Sequence, residues 1–304
     1  MRYFVVRFLQ MVFAVWGVAT LVFLALQLSG DPMELLAPED MTQAQVEALR
    51  RAYGLDQPLA VQYAIYMKNL ARGDLGISWT SGEPALALLA SRFPATLALV
   101  TVALAIAILF GLPAGILAAV RADSWIDRGL RFFSVLGISA PTFWLGIMFI
   151  LIFSVTLGWL PSAGAGSWKN YILPGFTLSF YRIALFLRMI RSTMLDVLSQ
   201  DYIRTARAKG LAERIVVYKH ALRNALIPFV TLVGLQFGHL MAGAVVTEWI
   251  FAWPGMNRLA LNALFTEDRP VILAFVILTA VIFAVVNFVV DVFYGLIDPR
   301  VRYA

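Results

Sequence analysis

Residues Ala95–Val120 read ATLALVTVALAIAILFGLPAGILAAV, twenty-six positions without a charge. About 20 consecutive apolar residues cross the hydrocarbon core of a bilayer as an α-helix. This stretch is therefore read as a transmembrane helix, and five more runs follow suit: Phe8–Leu28, Phe132–Leu160, Tyr171–Met189, Ala225–Ile250 and Val271–Leu296. The run Phe132–Leu160 carries Pro141 and Gly146, so a kink or a helix overrunning the bilayer is expected there. Composition agrees with the spans. Of 304 residues 61% are hydrophobic and 14% charged, and the mean hydropathy is +0.81. A soluble domain carries about 25% charged residues and could not hide this much apolar surface. Disorder is excluded, since its signature is low hydrophobicity. The expected fold class is an all-α polytopic membrane protein with six transmembrane helices.

Basic residues orient the chain. The N-terminus, 121–131, 188–224 and the C-terminus together hold 15 of the 24 Lys and Arg residues, and the opposite side holds 8. The positive-inside rule makes the first side cytoplasmic, with both termini inside. The first span has the basic start of a secretory signal, but its apolar run is long and no small-x-small site follows, so an uncleaved helix is expected. Between the first two spans lies a long polar stretch, about Ser29–Pro94. Thr42–Leu49 reads as a capped helix start, Ala60–Leu70 as an amphipathic helix with Tyr63, Tyr66 and Met67 on its apolar face, and Gly73-Asp74-Leu75-Gly76 as a turn. A large, partly helical extracytoplasmic loop follows, guarding the outer mouth or receiving a partner. Two regions are expected, 1–93 with the first helix and this loop, and 94–304 with five helices.

Several enzyme classes lack their parts. The chain contains no GxxxxGK[ST] phosphate loop, no HExxH zinc motif and no GxSxG elbow. There are no cysteines and two histidines, His220 and His239. No metal site, bound cofactor or covalent chemistry is expected of this chain.

The most informative polar segment is 199–228, SQDYIRTARAKGLAERIVVYKHALRNALIP. It reads as helix, glycine turn, helix. Gly210 suits the C′ position, and Arg207 and Lys209 suit the last turn, where the helix dipole favours cations. Ile203, Ala206 and Gly210 form a narrow stripe of apolar and small residues, flanked by Arg204 and Arg207. Six basic and two acidic residues lie between Val197 and Arg223. An ordinary lipid anchor would need the charge but not the turn between two short helices. A small-residue face with a cationic rim suits docking into a groove on a cytoplasmic partner.

Asp201-Tyr202-Ile203-Arg204-Thr205-Ala206-Arg207-Ala208-Lys209-Gly210-Leu211 and its continuation His220–Pro228 resemble the EAA loop of type I ATP-binding-cassette importer permeases. The resemblance is to the dipeptide/oligopeptide/nickel permease branch. Glu248-Trp249-Ile250-Phe251-Ala252-Trp253-Pro254-Gly255-Met256, Asp298–Tyr303, Gly30-Asp31-Pro32 and Gly73–Ser78 extend it over essentially the whole chain. Arg204-Thr205-Ala206 stands where the general consensus has Glu-Ala-Ala, so no contact made by that glutamate carries over. The resemblance implies the type I importer transmembrane fold in a bacterial inner membrane and a coupling loop over about 197–223. Within it, Asp201, Tyr202, Arg204, Thr205, Ala206, Arg207, Ala208, Lys209 and Gly210 would meet an ATPase. It further implies a second homologous permease, two ATPase subunits or domains that bind ATP and Mg, and an extracytoplasmic solute-binding protein. Nucleic acid is not among the expected partners, and membrane lipid is.

Polar residues inside spans are functional candidates by default. Arg182, Gln236, His239 and Glu248 are candidates for a translocation path. Arg182 could instead pair with Asp291 or Glu248, and His239 could hydrogen-bond between helices. Gly111 with Gly115, and Gly234 with Gly238, form GxxxG pairs for close packing within the chain or against a second subunit. The expected function is a permease subunit of an ATP-driven importer of peptides or a related solute, with nickel chelates, glutathione and opines as alternatives. The different-class alternative is a membrane scaffold without transport.

Overall fold

A computed structural model describes residues 2–28, 41–52 and 56–297. The helices are α1 (Arg2–Leu28), α2 (Gln43–Ala52), α3 (Leu59–Ala71), α4 (Ala85–Val120), α5 (Trp125–Ser139), α6 (Thr142–Phe149), α7 (Ile172–Leu198), α8 (Asp201–Ala208), α9 (Leu222–Gly243), α10 (Val245–Ile250), α11 (Met256–Phe265) and α12 (Arg269–Ile297). The Gly30-Asp31-Pro32 and Asp298–Tyr303 motifs lie outside the described residues. Five helical segments are long and apolar enough to cross a membrane, and a sixth is reached if the bent pair α5–α6 counts as one span.

That bent pair is where the structure departs most from a simple six-span reading. Pro141 has no N–H and disfavours the helical conformation in the residue before it. Ala140 accordingly adopts ψ 123°, and the two halves meet at 103°. After α6 the chain continues as a π-helical stretch, Ile150–Thr156. Other boundaries also move, and the fourth span runs nine residues past its expected end, to Leu198. The second span begins ten residues earlier than its uncharged run, at Ala85. The fifth ends at Gly243, and Val245–Ile250 forms the separate helix α10, so Glu248, expected within the fifth span, stands beyond it.

The centre of the molecule is the pairing of α4 with α7. Gly111 and Gly115 lie against α7 so tightly that a Cβ on either would approach the Cβ of Phe186 or Ile190 to 2.8 Å. α5 closes on the other side of α7, where a Cβ on Gly137 would stand 2.6 Å from that of Ala184. The second GxxxG pair is also used within the chain, Gly234 against Val290 and Gly238 against Phe283 and Val286 of α12. α1 lies along α12, with Arg7 Nε 3.3 Å from the Asp291 carboxylate and Phe8 edge-on to Phe288. Many large apolar side chains remain exposed on the helices, Phe13, Leu21, Leu109, Phe132 and Val155 among them, as the outer face of a membrane bundle requires.

The polar stretch between α1 and α4 is helical in part, as its pattern predicts. Gln45 Oε1 accepts from the Thr42 backbone N–H at 2.9 Å at the start of α2. α3 leans on the end of α1: Phe23 meets the rings of Tyr63 and Tyr66, and the hydroxyls of Thr20 and Tyr63 are 2.8 Å apart. Gly73, at φ 77°, ends α3, and Asp74 Oδ1 accepts from Gly76 N–H within the expected turn.

Candidate functional site

The segment after α7 builds a short helix. Gln200, in the extended conformation, starts α8, and Lys209 ends it. Gly210 N–H reaches the Arg207 carbonyl at 2.9 Å and Leu211 N–H reaches that of Ala206 at 3.4 Å, a Schellman closure with Gly210 at φ 74°. The chain then returns through Glu213–Ile215 and a π-helical stretch, Val216–Ala221, into α9.

The apolar stripe on α8 faces inward. Ile203 and Ala206 are buried in one cluster with Ile190, Met194, Val216, Val217 and Ala221. Ala206, expected at a partner's surface, packs on the chain's own core beneath α8. Asp201, Tyr202, Arg204, Thr205, Arg207, Ala208, Lys209 and Gly210 are exposed. Arg207 is already engaged by Glu213 through two hydrogen bonds of 3.1 and 2.6 Å, and Arg204 is 3.2 Å from Asp201. Asn224 Nδ2 donates to the Tyr202 hydroxyl at 2.7 Å, tying α8 to α9. Tyr202, Leu211, Ile215 and Tyr218 leave an exposed apolar and aromatic surface here, with Tyr218 56% exposed.

The four candidates for a path do not converge. Glu248 is fully buried in a polar knot: Oε1 accepts from Thr96 Oγ1 at 2.6 Å and Asn257 Nδ2 at 3.0 Å, and Oε2 from Arg258 N–H at 3.0 Å. It thereby caps the N-terminus of α11, where a carboxylate is favoured. Gly255 lies so close to this carboxylate that no Cβ fits, and Trp253 Nε1 donates to the Ala95 carbonyl at 2.9 Å. The Glu248–Met256 motif is thus locked onto α4 at Ala95 and Thr96, about three turns into that helix. His239 is exposed on α9 with its ring edge-on to Phe283, and Gln236 is half-buried one turn before it. Arg182 pairs with neither Asp291 nor Glu248. Its Nη1 donates to the Leu178 carbonyl at 3.0 Å on its own helix.

Two further knots have no counterpart in the sequence reading. Asp127, fully buried at the head of α5, receives Arg191 of α7 in a bidentate pair of 2.6 and 2.7 Å. Asp268 stands just before α12 and accepts from Ser78 Oγ at 2.5 Å, Thr80 Oγ1 at 2.7 Å and the N–H groups of Trp79 and Thr80 at 3.2 Å. Burial pushes the Asp268 carboxyl up, but these donors outweigh it and hold it below the ordinary carboxylate range. Among the described residues no group of His, Asp and Glu is arranged to hold a metal ion.

Comparison with known proteins decides the family. The model for binding-protein-dependent transport system inner membrane components matches residues 111–303, and the one for their N-terminal segment matches 1–100. The chain belongs to this family of transport permeases. It is 46% identical over 304 residues to the glutathione transport system permease protein GsiC of Escherichia coli O6:H1, covering 100% of this chain and 99% of that one. The GsiC proteins of Escherichia coli K12 and Shigella dysenteriae serotype 1 are 45% identical over the same length. Among solved structures, an inward-facing MetNI methionine transporter aligns with a TM-score of 0.56 at 19% identity, over 69% of this chain and 96% of that one. An amino acid transporter aligns at 0.52 and 17%, over 70% and 94%. The bundle therefore has the fold of importer permeases, and the chain is the permease subunit of an ATP-binding-cassette importer.

Proposed function

We propose that this permease forms the transmembrane path of an importer for glutathione or closely related short peptides in a bacterial inner membrane. The observation that supports the solute class is the whole-length identity of 46% to a glutathione permease. It favours glutathione over nickel chelates and opines within the same branch. In this reading the chain makes no covalent bond to its solute, and ATP is hydrolysed by two partner ATPase subunits or domains. A second homologous permease completes the path, and an extracytoplasmic binding protein delivers the solute. Residues 94–304 form the permease core, and 1–93 add the first helix and a loop at the outer mouth.

The helix α8 is the coupling element. Buried Ile203 and Ala206 hold it against the bundle, and Tyr202, Arg204, Thr205, Ala208 and Lys209 face outward to enter a groove on the ATPase. ATP-driven closure of the ATPase pair moves α8, and the bundle follows by rigid-body rocking. The test is uptake of labelled glutathione by proteoliposomes containing the full complex and its binding protein. Uptake that depends on ATP and is competed by unlabelled glutathione is expected. Uptake of an unrelated solute in its place would overturn the assignment.

A further inference from the structure

Arg182 is a half-buried arginine of α7 for which the described residues supply no carboxylate. It lies eleven positions into α7, ~16 Å along the helix at 1.5 Å per residue. A guanidinium does not deprotonate in a protein and is costly within a span unless it meets an opposite charge. Arg182 meets none among the described residues. Nη1 shares the Leu178 carbonyl, an acceptor of the helix's own ladder, and the group stands 5.6 Å from the Tyr181 ring centre. Its Nε is buried without any hydrogen-bond partner. Both carboxylates that could reach into the bundle are committed, Asp291 to Arg7 and Glu248 to Thr96, Asn257 and Arg258. The contrast with Arg191 is direct, because that arginine has both oxygens of Asp127.

A structural arginine at such a depth would carry its counter-charge with it. One kept with an unused donor fits a negative group that arrives and leaves. We propose that Arg182 receives a carboxylate of the solute during its passage, through the fork of Nε and one Nη that matches a carboxylate in two parallel hydrogen bonds. This rests on the glutathione reading above, since glutathione and short peptides each carry at least one carboxylate.

The experiment uses the complete transporter in proteoliposomes with saturating liganded binding protein. Wild-type uptake of glutathione tests the solute class by itself. With that uptake in hand, Arg182→Gln is expected to lower it at least tenfold, and Arg182→Lys to retain more of it than Arg182→Gln. Glutathione affinity of the binding protein and basal ATP hydrolysis should stay unchanged. An inserted Arg182→Gln complex that imports at the wild-type rate overturns the proposal. If Arg182→Gln does not insert, the decision passes to Leu185→Cys, one turn along α7 in a chain without native cysteine. S-methylglutathione, which has no free thiol, is expected to slow labelling of that cysteine several-fold during turnover. Undiminished labelling overturns the proposal.

Discussion

Single carboxylates do the joining at the residue scale. Asp268 ties the turn at Ser78–Thr80 to the first turn of α12 across 190 positions of sequence. Its folded pKa lies below the unfolded value of about 3.9. The contribution to stability is therefore present above that unfolded value and lost as pH falls through the lower folded one. Thermal unfolding in detergent should show a lower Tm for Asp268→Asn than for the wild type at pH 7, and the gap should close as pH drops below about 4. A gap that stays constant down to pH 3 would mean the knot contributes through shape and not through charge. None of the three carboxylate knots could be read from the sequence. Glu248 finds Thr96 across 152 positions and Asp127 finds Arg191 across 64, and one sequence shows neither pairing. Arg182, by contrast, was legible at once, because a charge inside an apolar run stands out without knowledge of its neighbours.

Elements were legible wherever a local pattern carries the information. Apolar length marked the spans, Pro141 marked the break between α5 and α6, and Gly210 marked the end of α8. The direction of α8's apolar stripe was not, since Ile203 and Ala206 would read the same facing a partner or the chain's own Val216 and Val217. The glycine turn gives the test at this scale. At φ 74° a β-branched residue is strained, costing on the order of 1–2 kcal/mol, while no atom crowds the space a Cβ would occupy. Gly210→Val should therefore insert normally and leave solute binding by the binding protein intact. Its ATPase subunits should bind several-fold more weakly on co-purification, and solute-stimulated ATP hydrolysis should no longer drive uptake. Wild-type uptake with undiminished ATPase binding would make this segment a lipid anchor.

At the scale of the whole molecule, the basic-residue split of 15 against 8 predicts the orientation in the bilayer. Impermeant thiol reagent applied from outside should label Ala60→Cys in α3 and spare Thr205→Cys in α8. The opposite pattern would invert the topology. One feature of the bundle reaches further. Gly111 and Gly115 seat α4 on one side of α7, and Gly137 with the Asp127–Arg191 pair seats α5 on another. Three helices thus share one stiff shaft, and α8 follows it after Ser199 and Gln200. A shaft of 27 residues is ~40 Å long at 1.5 Å per residue. A tilt of about 5° around its far end swings the near end by about 3.5 Å, roughly two residues of helical rise. A stroke at α8 no longer than the rise of one helical turn would thus turn three of the six span-length segments together, with no helix having to unwind.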